Sequence, residues 1–245
     1  MRICILIPIY NHAATLQAVV ESALQVCPNV MVVNDGSTDN TAQVLVHLQH
    51  RIEVVQYQPN RGKGYALKKG FERAQQLGFS HVVTMDSDGQ HQAADIATLL
   101  RASEQHPDAL IVGSRGMSHE HMPQGNKFAN RLSNFWFAVQ TARCLPDTQT
   151  GFRLYPIERM GRLRPIFNRY EAELELLVRA AWRGITLIPV AINVVYPPKG
   201  ERISHFKPTA DFVRISLLNT ALCVLAVVYG YPRMALQWLF KRNRQ

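Results

Sequence analysis

Short apolar runs alternate with helical patterns through the first half of the chain. Ile3–Ile9 is a continuous apolar run, and Leu16, Val19, Val20 and Ala23 then recur at the spacing of one helix face. The alternation continues, with further apolar runs that predict strands at residues 30–33, 51–57, 81–85 and 109–113. Repeated βα units of this kind predict an α/β fold, in which a mostly parallel sheet carries helices on both faces.

The second half of the chain is less regular. Residues 115–127 contain two glycines, two histidines and a proline, which is typical of a loop, and this loop should overhang the sheet. Apolar helix faces follow at residues 128–139 and 174–181, and a late strand at residues 186–195. We therefore predict one domain at residues 1–210 and a helical extension at residues 211–245.

The predicted extension is apolar and ends in basic residues. Residues 215–231 carry no charge, but this run is just short of the roughly 20 residues that cross a bilayer, and Asn219 and Gly230-Tyr231-Pro232 interrupt it. Trp238 and the basic residues of 241–244 follow, which suits a helix lying at a membrane interface. The alternative is a helix docked on the domain's own core or on a partner subunit.

Positive charge is concentrated at the carboxyl-terminal end. The net charge is +9, and residues 199–245 hold eight basic residues against two acids. This excess predicts an anionic partner such as a lipid surface, whereas nucleic acid is disfavoured because no aromatic residues are interleaved for base stacking. Four scattered cysteines and the lack of a secretory signal favour a cytoplasmic protein, peripherally associated with the inner face of the cytoplasmic membrane.

Polar residues directly follow three of the predicted strands. Tyr10 and Asn11 follow the first strand, Asn34 and Asp35 the second, and residues 86–90 the fourth. Ligands of such sheets bind beyond the carboxyl ends of the strands, so we expect these residues to converge on one crevice.

The Asp86-Ser87-Asp88 segment is the strongest chemical signal. Two carboxylates one residue apart at a strand end can reach one hard cation, and Gln90 can add an amide oxygen. Mg²⁺ or Mn²⁺ held by Asp86, Asp88 and Gln90 would neutralise charge on a departing nucleotide. Aspartates are also common in turns, so the position of these two aspartates at a strand end is stronger evidence for a metal site than their spacing alone. The nine histidines show no metal or triad spacing, and we expect solvated or structural roles for them.

Other segments suit a nucleotide or a sugar, although each also has a plain structural interpretation. Asn34 and Asp35 fit a turn with a helix cap, or hydrogen bonds to a base or ribose. Lys63 opens a helix whose amino terminus favours an anion, without the spacing of a P-loop. Gln149, Thr150 and Gly151 form either a turn into a strand or the far wall of a sugar site.

Arg115 and Arg131 flank the predicted loop over the metal. Isolated arginines are usually surface residues, but at these positions both could clamp phosphate bidentately.

Taken together, these segments resemble the motifs of glycosyltransferase family 2, with the GT-A fold, and especially those of its dolichol-phosphate mannosyltransferase-like branch. The resemblance covers about residues 1–205. The matching segments are residues 8–11 (similar to P-x-Y-N), 32–39 (V-[VI]-D-D-G-S-x-D), 60–64 (N-x-G-K-G), 86–91 (D-A-D-x-Q-H), 113–115 (G-S-R) and 150–153 (T-G-F-[KR]).

The resemblance implies an inverting transfer of a sugar from a UDP- or GDP-linked donor to a lipid-linked acceptor such as polyprenyl phosphate. Such an acceptor is already an anionic nucleophile, so no strong general base is required. The donor would contact the motif residues, namely Pro8, Tyr10, Asn11, Asn34, Asp35, Lys63, Asp86, Ser87 and Asp88.

The same resemblance assigns the acceptor side. Arg115, Arg131 and basic residues near Gly200, namely Lys199 and Arg202, would neutralise the acceptor phosphate. Glu171 occupies the position of an acidic residue of the family. The implied catalytic residues are Asp86, Asp88, Arg115, Arg131 and Glu171.

The sequence departs from the family pattern at His12, at Asn34 and in residues 199–205. It looks more like bacterial glycosyltransferases of lipid-modifying clusters, some joined to acyltransferase domains, so a homo-oligomer or an acyltransferase partner is a further expectation. One alternative is a sugar-1-phosphate nucleotidyltransferase, which usually carries a glycine-rich loop that residues 8–12 lack. The other is a non-catalytic protein that binds a membrane surface.

Overall fold

The computed structural model describes residues 1–116, 124–161, 163–195 and 208–242. The predicted acceptor ligands Lys199 and Arg202 lie outside these ranges, as do residues 117–123 of the predicted loop.

A seven-stranded sheet forms the centre of the fold, as its strand order shows. The strands are β1 (Ile3–Ile9), β2 (Val30–Asp35), β3 (Glu53–Tyr57), β4 (His81–Thr84), β5 (Leu110–Arg115), β6 (Arg153–Pro156) and β7 (Leu187–Ile192). They lie in the order β3-β2-β1-β4-β6-β5-β7, and all neighbours are parallel except that β6 opposes β4 and β5. The prediction of a mostly parallel sheet is confirmed.

Helices cover both faces of the sheet, as predicted. They are α1 (Ala13–Val26), α2 (Thr41–Leu48), α3 (Lys63–Gln76), α4 (Ala94–Gln105), α5 (Gln124–Thr141), α6 (Ile157–Met160), α7 (Glu171–Trp182), α8 (Pro208–Leu225) and α9 (Tyr231–Arg242). A hydrophobic core lies on each face of the sheet. Side chains alternate between the two faces of a strand, so in β1 Ile5 packs in one core and Leu6 packs in the other. α1, α2 and α4 cover the Ile5 face, whereas α3, α5, α7 and α8 cover the Leu6 face.

The central strands bring the predicted polar segments together. β1 lies between β2 and β4, with Ile9 paired to Asn34 and Leu6 paired to Thr84. Parallel neighbours end at the same edge of the sheet, so the segments that follow these strands line one crevice, as predicted.

β6 begins at the crevice because it runs against its neighbours. Its first residue, Arg153, is paired with Thr84, the last residue of β4. The Thr84 hydroxyl donates a hydrogen bond to the Gly151 carbonyl at 2.6 Å. The segment before β6, with the predicted sugar-wall residues, therefore lies beside the segment that follows β4.

The apolar extension forms one helical stretch that packs on the domain. A π-helical turn at Ala226–Gly230 joins α8 to α9. Leu218, Leu222 and Ala226 recur every four residues and are buried in the Leu6-face core. Within the described ranges, Val213–Phe240 is the one helical stretch long and apolar enough to cross a membrane, and 28% of its apolar window is buried in the protein.

Asn219 and Pro232 interrupt the apolar run of the sequence, but neither residue ends the helix. Asn219 is buried, and its side-chain oxygen accepts a hydrogen bond from the Gln140 amide at 2.9 Å. A proline inside a helix lacks one amide donor and crowds the carbonyl of the preceding turn. The π turn lies directly before Tyr231-Pro232, and such a turn relieves both effects by widening the helix.

Leu222→Ala should lower the free energy of unfolding by about 2–5 kcal/mol, because it leaves a cavity in the core beneath α8. Leu222 is 2% exposed, whereas Leu217 on the same helix is 66% exposed. Leu217→Ala should therefore change the free energy of unfolding by less than about 0.5 kcal/mol. Urea unfolding, followed by circular dichroism in one detergent-containing buffer, measures the free energy of unfolding of both variants. An equal loss of this free energy in the two variants would contradict the packing of α8 on the domain.

Candidate active site

Lys63, Asp86 and Glu173 form an ion-paired cluster in the crevice. Lys63 is the first residue of α3, Asp86 follows β4, and Glu173 lies in the first turn of α7. The Lys63 ammonium lies 2.6 Å from Asp86 Oδ1 and 3.1 Å from Glu173 Oε2. All three side chains are largely shielded from solvent. The cluster joins three separate elements through charge.

The ion pairs fix the protonation of this cluster. Burial by itself would raise the pKa of Asp86, but the Lys63 ammonium and the neighbouring His91 hold that pKa well below its usual range. Burial would likewise lower the pKa of Lys63, but the carboxylates of Asp86 and Glu173 instead raise it above its usual range. Lys63 is therefore an ammonium and Asp86 a carboxylate at neutral pH.

The cluster leaves no room for a side chain at Gly151. A Cβ at this position would lie 2.7 Å from Lys63 Nζ, 2.9 Å from Asp86 Oδ2 and 3.0 Å from Glu173 Oε1. Glu173 Oε1 is buried and has no hydrogen-bond partner in the described part of the chain. The predicted sugar wall thus meets the predicted metal segment at Gly151.

Asp88, Gln90 and His91 surround Asp86 on the segment after β4. Asp88 Oδ1 accepts a hydrogen bond from the Gln90 N–H at 3.0 Å. Burial, and then the nearby Asp86 carboxylate, raise the pKa of Asp88. His91 Nε2 lies 3.7 Å from Asp86 Oδ2, and the His91 ring stacks on Phe152 with centroids 4.9 Å apart. His91 therefore combines a structural role with a position at the site, which its spacing in the sequence did not indicate.

The charge of the crevice fits a divalent cation. Lys63 supplies one ammonium and Asp86, Asp88 and Glu173 supply three carboxylates, which leaves two formal negative charges. Among the residues that the structure describes, no group of three or more His, Cys, Asp or Glu side chains is arranged to hold a metal. Mg²⁺ is often held by one or two carboxylates and completed by substrate phosphates and water, so the Asp86–Asp88 pair suits a cation that binds together with a phosphate ligand.

Asp35 holds the amino terminus of α3 in place. Its carboxylate accepts hydrogen bonds from the Arg61 N–H at 2.8 Å, the Gly62 N–H at 2.7 Å and the Asn60 side chain at 2.9 Å. The anion at this helix terminus is therefore Asp35 itself, and burial raises the pKa of its carboxyl. Asp35 positions the residue after Gly62, which is Lys63. A contact between Asp35 and a donor stays a prediction.

Asn11 and Asn34 shape the loops beside the crevice. Asn11 Oδ1 accepts a hydrogen bond from the Thr38 N–H at 2.7 Å, which ties the loop after β1 to the loop after β2. Asn34 Oδ1 accepts one from the Ser37 N–H at 3.0 Å and closes a turn. The turn interpretation of Asn34 is confirmed, and its contact with a donor stays a prediction.

The other predicted donor residues lie at the same edge. Pro8 is buried in β1 and Tyr10 is half-buried just after it. Ser87 is buried, and its carbonyl accepts a hydrogen bond from the Thr15 hydroxyl at 2.6 Å, which ties α1 to the segment that follows β4. These positions are compatible with donor binding.

Asp147 orients Arg115. The buried Asp147 carboxylate accepts hydrogen bonds from Arg115 Nε at 2.6 Å and from Arg115 Nη2 at 3.0 Å. The backbone N–H groups of Gln149 and Thr150 also donate to Asp147 Oδ1. One buried carboxylate thus fixes both a predicted phosphate ligand and the predicted sugar wall.

Two adjoining cavities extend from the crevice. The first, of about 330 Å³, is lined by Arg115, Thr148, Glu171, Glu173 and other residues. The second, of about 570 Å³, is mainly apolar and lies between α5 and α8. Both cavities are lined by the same four residues at their junction, namely Ala129, Ser133, Gln149 and Ile215.

The two remaining predicted catalytic residues differ in position. Glu171 is buried and lines the first cavity. Arg131 is exposed on α5 and is not among the residues that line either cavity. Its role at the acceptor phosphate stays a prediction.

Sequence reasoning missed Glu173, Asp147 and the position of His91. Glu173 is one of three alternating acids at residues 171, 173 and 175, and spacing alone does not tell which one faces the crevice. Asp147 follows a proline and resembles an ordinary turn residue. For His91, the available signal was its place at the end of the D-A-D-x-Q-H-like segment.

Residues 4–156 match the family described as Glycosyl transferase family 2. The polyprenol monophosphomannose synthase of Mycolicibacterium smegmatis is 30% identical over 208 residues, which cover 78% of this chain and 77% of that protein. The UDP-N-acetylglucosamine--dolichyl-phosphate N-acetylglucosaminyltransferase of Methanococcus voltae is 26% identical over 215 residues, which cover 79% of this chain and 86% of that protein.

A solved structure shares the fold. The glucosyl-3-phosphoglycerate synthase of Mycobacterium tuberculosis, crystallised with Mn²⁺, UDP-glucose and phosphoglyceric acid, has a TM-score of 0.68 at 18% identity, over 92% of this chain and 79% of that chain. The mixed sheet with helices on both faces is therefore a GT-A fold. Since the family match spans more than half of the sequence, the chain belongs to glycosyl transferase family 2 and is a glycosyltransferase.

Proposed function

We propose that this enzyme moves a sugar from a nucleotide-sugar donor to the phosphate of a membrane lipid such as a polyprenyl phosphate. The observation that carries the proposal is that the carboxylate crevice adjoins an apolar cavity of about 570 Å³ between α5 and α8. A small soluble acceptor needs no such cavity, whereas the chain of a lipid acceptor gains free energy by leaving water for it.

The donor would lie across the carboxyl ends of β1, β2 and β4, where ligands of parallel sheets bind. Asp86, Asp88 and the predicted third ligand Gln90 would hold Mg²⁺ or Mn²⁺. A divalent cation bound there neutralises charge on the leaving nucleoside diphosphate. The two excess negative charges of the crevice support this assignment, as do the Mn²⁺ and UDP-glucose named for the fold relative.

The acceptor phosphate would lie in the first cavity, beside Arg115. Asp147 already orients the Arg115 guanidinium, so little side-chain entropy is lost when a phosphate binds. The relatives named above act on polyprenol and dolichyl phosphate by their names, which supports a lipid phosphate here. The lipid chain would continue past Gln149 and Ile215 into the apolar cavity.

The reaction would proceed by direct displacement. An acceptor phosphate oxygen attacks the anomeric carbon of the donor sugar while the bond from that carbon to the nucleotide's phosphate oxygen breaks. The products are a lipid phosphosugar of inverted configuration and a nucleoside diphosphate. The nucleophile is already anionic, so no residue must remove a proton. Glu173 lines the first cavity, where its carboxylate can accept a hydrogen bond from a sugar hydroxyl.

The exposed face of α8 and α9 would place the enzyme at the membrane. Many of the outward side chains of α8, of the π turn and of α9 are apolar, among them Leu217, Val224, Val228, Leu236 and Leu239. Patches of this kind mark protein or membrane contacts. Since the opposite side of α8 is packed on the domain, the helix would lie in the interface with its outer face immersed, which is peripheral association.

Asp88→Asn should reduce sugar transfer about a hundredfold or more, because it removes a charged ligand from the proposed cation site. Asp108→Asn is the control, since Asp108 is exposed beyond α4. The measurement is the transfer of radiolabelled sugar from the nucleotide sugar to polyprenyl phosphate by each variant, with and without a chelator. Full activity in metal-free buffer would sink the cation assignment.

Gly151→Ala should lower kcat/KM more than about tenfold, because its Cβ would displace atoms of the Lys63–Asp86–Glu173 cluster from a preorganised arrangement. The matched control is Gly125→Ala, where an added Cβ meets no atom of the described residues within 4 Å. Steady-state kinetics and melting temperatures of both variants are the measurements. Unchanged kinetics in Gly151→Ala would show that the cluster tolerates rearrangement.

Thr220→Trp should raise KM for a long-chain polyprenyl phosphate about tenfold, because Thr220 lines the apolar cavity and the indole would fill it. KM for a short-chain water-soluble analogue should stay the same. Ala221→Trp is the control on the adjacent exposed position, which does not line the cavity. Equal effects on long and short acceptors would argue against this path for the lipid.

A further inference from the structure

A second basic site lies at the edge of the sheet opposite the crevice. A cavity of about 470 Å³ is lined there by Arg143, Arg159 and Arg183. Arg143 follows α5, Arg159 lies in α6 directly after β6, and Arg183 ends α7 just before β7. Parallel strands begin at this edge, and the reversed β6 ends at it, so the fold brings all three arginines together far from the carboxylate cluster.

Among the residues that the structure describes, no carboxylate forms an ion pair with any of the three guanidinium groups. Arg143 Nη1 donates a hydrogen bond to the Ile185 carbonyl at 3.1 Å, and burial lowers the pKa of Arg143. Helix carboxyl ends favour cations, which helps to explain each arginine singly. This interaction with helix ends does not explain why three arginines border one open cavity.

The outer wall of this cavity is aromatic and faces solvent. Trp238 and Phe240 of α9 line it and are 59% and 67% exposed. Gln237 fastens this part of α9 to the end of α7, because its amide donates to the Trp182 carbonyl at 3.3 Å. Cationic groups beside exposed aromatic rings are the arrangement that proteins present to lipid headgroups.

The cavity also has a fixed relation to the proposed acceptor path. Ile215, near the start of α8, lines the acceptor cavities, and Phe240, near the end of α9, lines the arginine cavity. The helical stretch from Ile215 to Phe240 spans 26 residues, or about 39 Å at 1.5 Å per residue. One apolar helix face thus has a phosphate-compatible cavity at each end.

We propose that the cavity of Arg143, Arg159 and Arg183 binds the phosphate headgroup of an anionic membrane lipid, with the acyl chains of that lipid beside Trp238 and Phe240. Guanidinium groups pair bidentately with phosphate oxygens, and the aromatic wall suits a ligand that carries an apolar part. The inference rests on the proposed membrane position of α8 and α9, but it does not depend on the transfer chemistry. The bound lipid would anchor the end of the enzyme opposite the crevice.

The test uses the full chain and co-sedimentation with vesicles of phosphatidylcholine, either alone or mixed with phosphatidylglycerol. Arg159→Gln combined with Arg183→Gln should weaken partition onto the mixed vesicles about tenfold or more and leave partition onto pure phosphatidylcholine unchanged. The matched control combines Arg51→Gln with Arg101→Gln, which removes the same charge from exposed positions on the face of the sheet away from α8. This control should change partition onto the mixed vesicles and partition onto pure phosphatidylcholine vesicles by less than about threefold each.

Each other outcome overturns the proposal. Equal weakening in the two double variants would mean that only overall charge matters. A rise in melting temperature with inorganic phosphate that the Arg159/Arg183 variant loses, without a change in vesicle binding, would assign the cavity to a soluble anion. A stable dimer with no preference for anionic vesicles would assign the face to a second copy. If the double variant unfolds, Arg159→Gln alone provides the comparison, because Arg159 is exposed.

Catalysis is followed separately with the short-chain acceptor analogue. The Arg159/Arg183 variant should transfer sugar to it at the wild-type rate, because neither arginine lies near the crevice. A wild-type chain that transfers no sugar to any lipid phosphate would defeat the proposed function and leave the vesicle result standing.

Discussion

The two ion pairs of Lys63 join α3, the segment after β4 and α7, which are far apart in the chain. Taking such charges out of water costs several kcal/mol per ion, and close contact with partners offsets that cost only when all partners are present. Neighbouring groups keep them in place. Asp35 fixes the backbone just before Lys63, and Arg153 Nη1 donates to the Glu173 carbonyl at 2.8 Å. The geometry of the crevice follows from this buried network.

The parts of the fold that the sequence predicted correctly are local. Apolar runs bounded by polar residues mark β1, β2 and β4, and the polar residues after them converge because parallel strands end together. The position of β6 could not be read in this way. It has only four residues, and its pairing with β4 and β5 depends on contacts distant in sequence. The helix that passes through Pro232 likewise depends on a π turn and on close packing of Gly230 against Trp182.

The site shows the same division between local and distant causes. Asp86 and Asp88 were identifiable because their spacing and their strand end lie in one segment. Glu173 was not, because the choice between it and Glu171 depends on how α7 packs against β6. Asp147 looked like a turn residue, yet it holds Arg115, which lies 32 residues before it. The sequence predicted that the start of α3 favours an anion; Asp35 of the same chain lies there, and a contact between Lys63 and a donor stays a prediction.

Because β6 runs against its neighbours, the crevice is built by two parts of the chain that approach from different directions. In the proposed function, the loops that leave β1, β2 and β4 would form the nucleotide half, whereas the segment entering β6, together with α5, α7 and α8, would form the acceptor half. The halves meet at the Lys63–Asp86–Glu173 cluster and Gly151. Substitutions and insertions in the acceptor half, away from this junction, would therefore leave the nucleotide half undisturbed. With the proposed substrates, a lineage would exchange one lipid for another while it keeps its donor, so the two specificities would evolve independently.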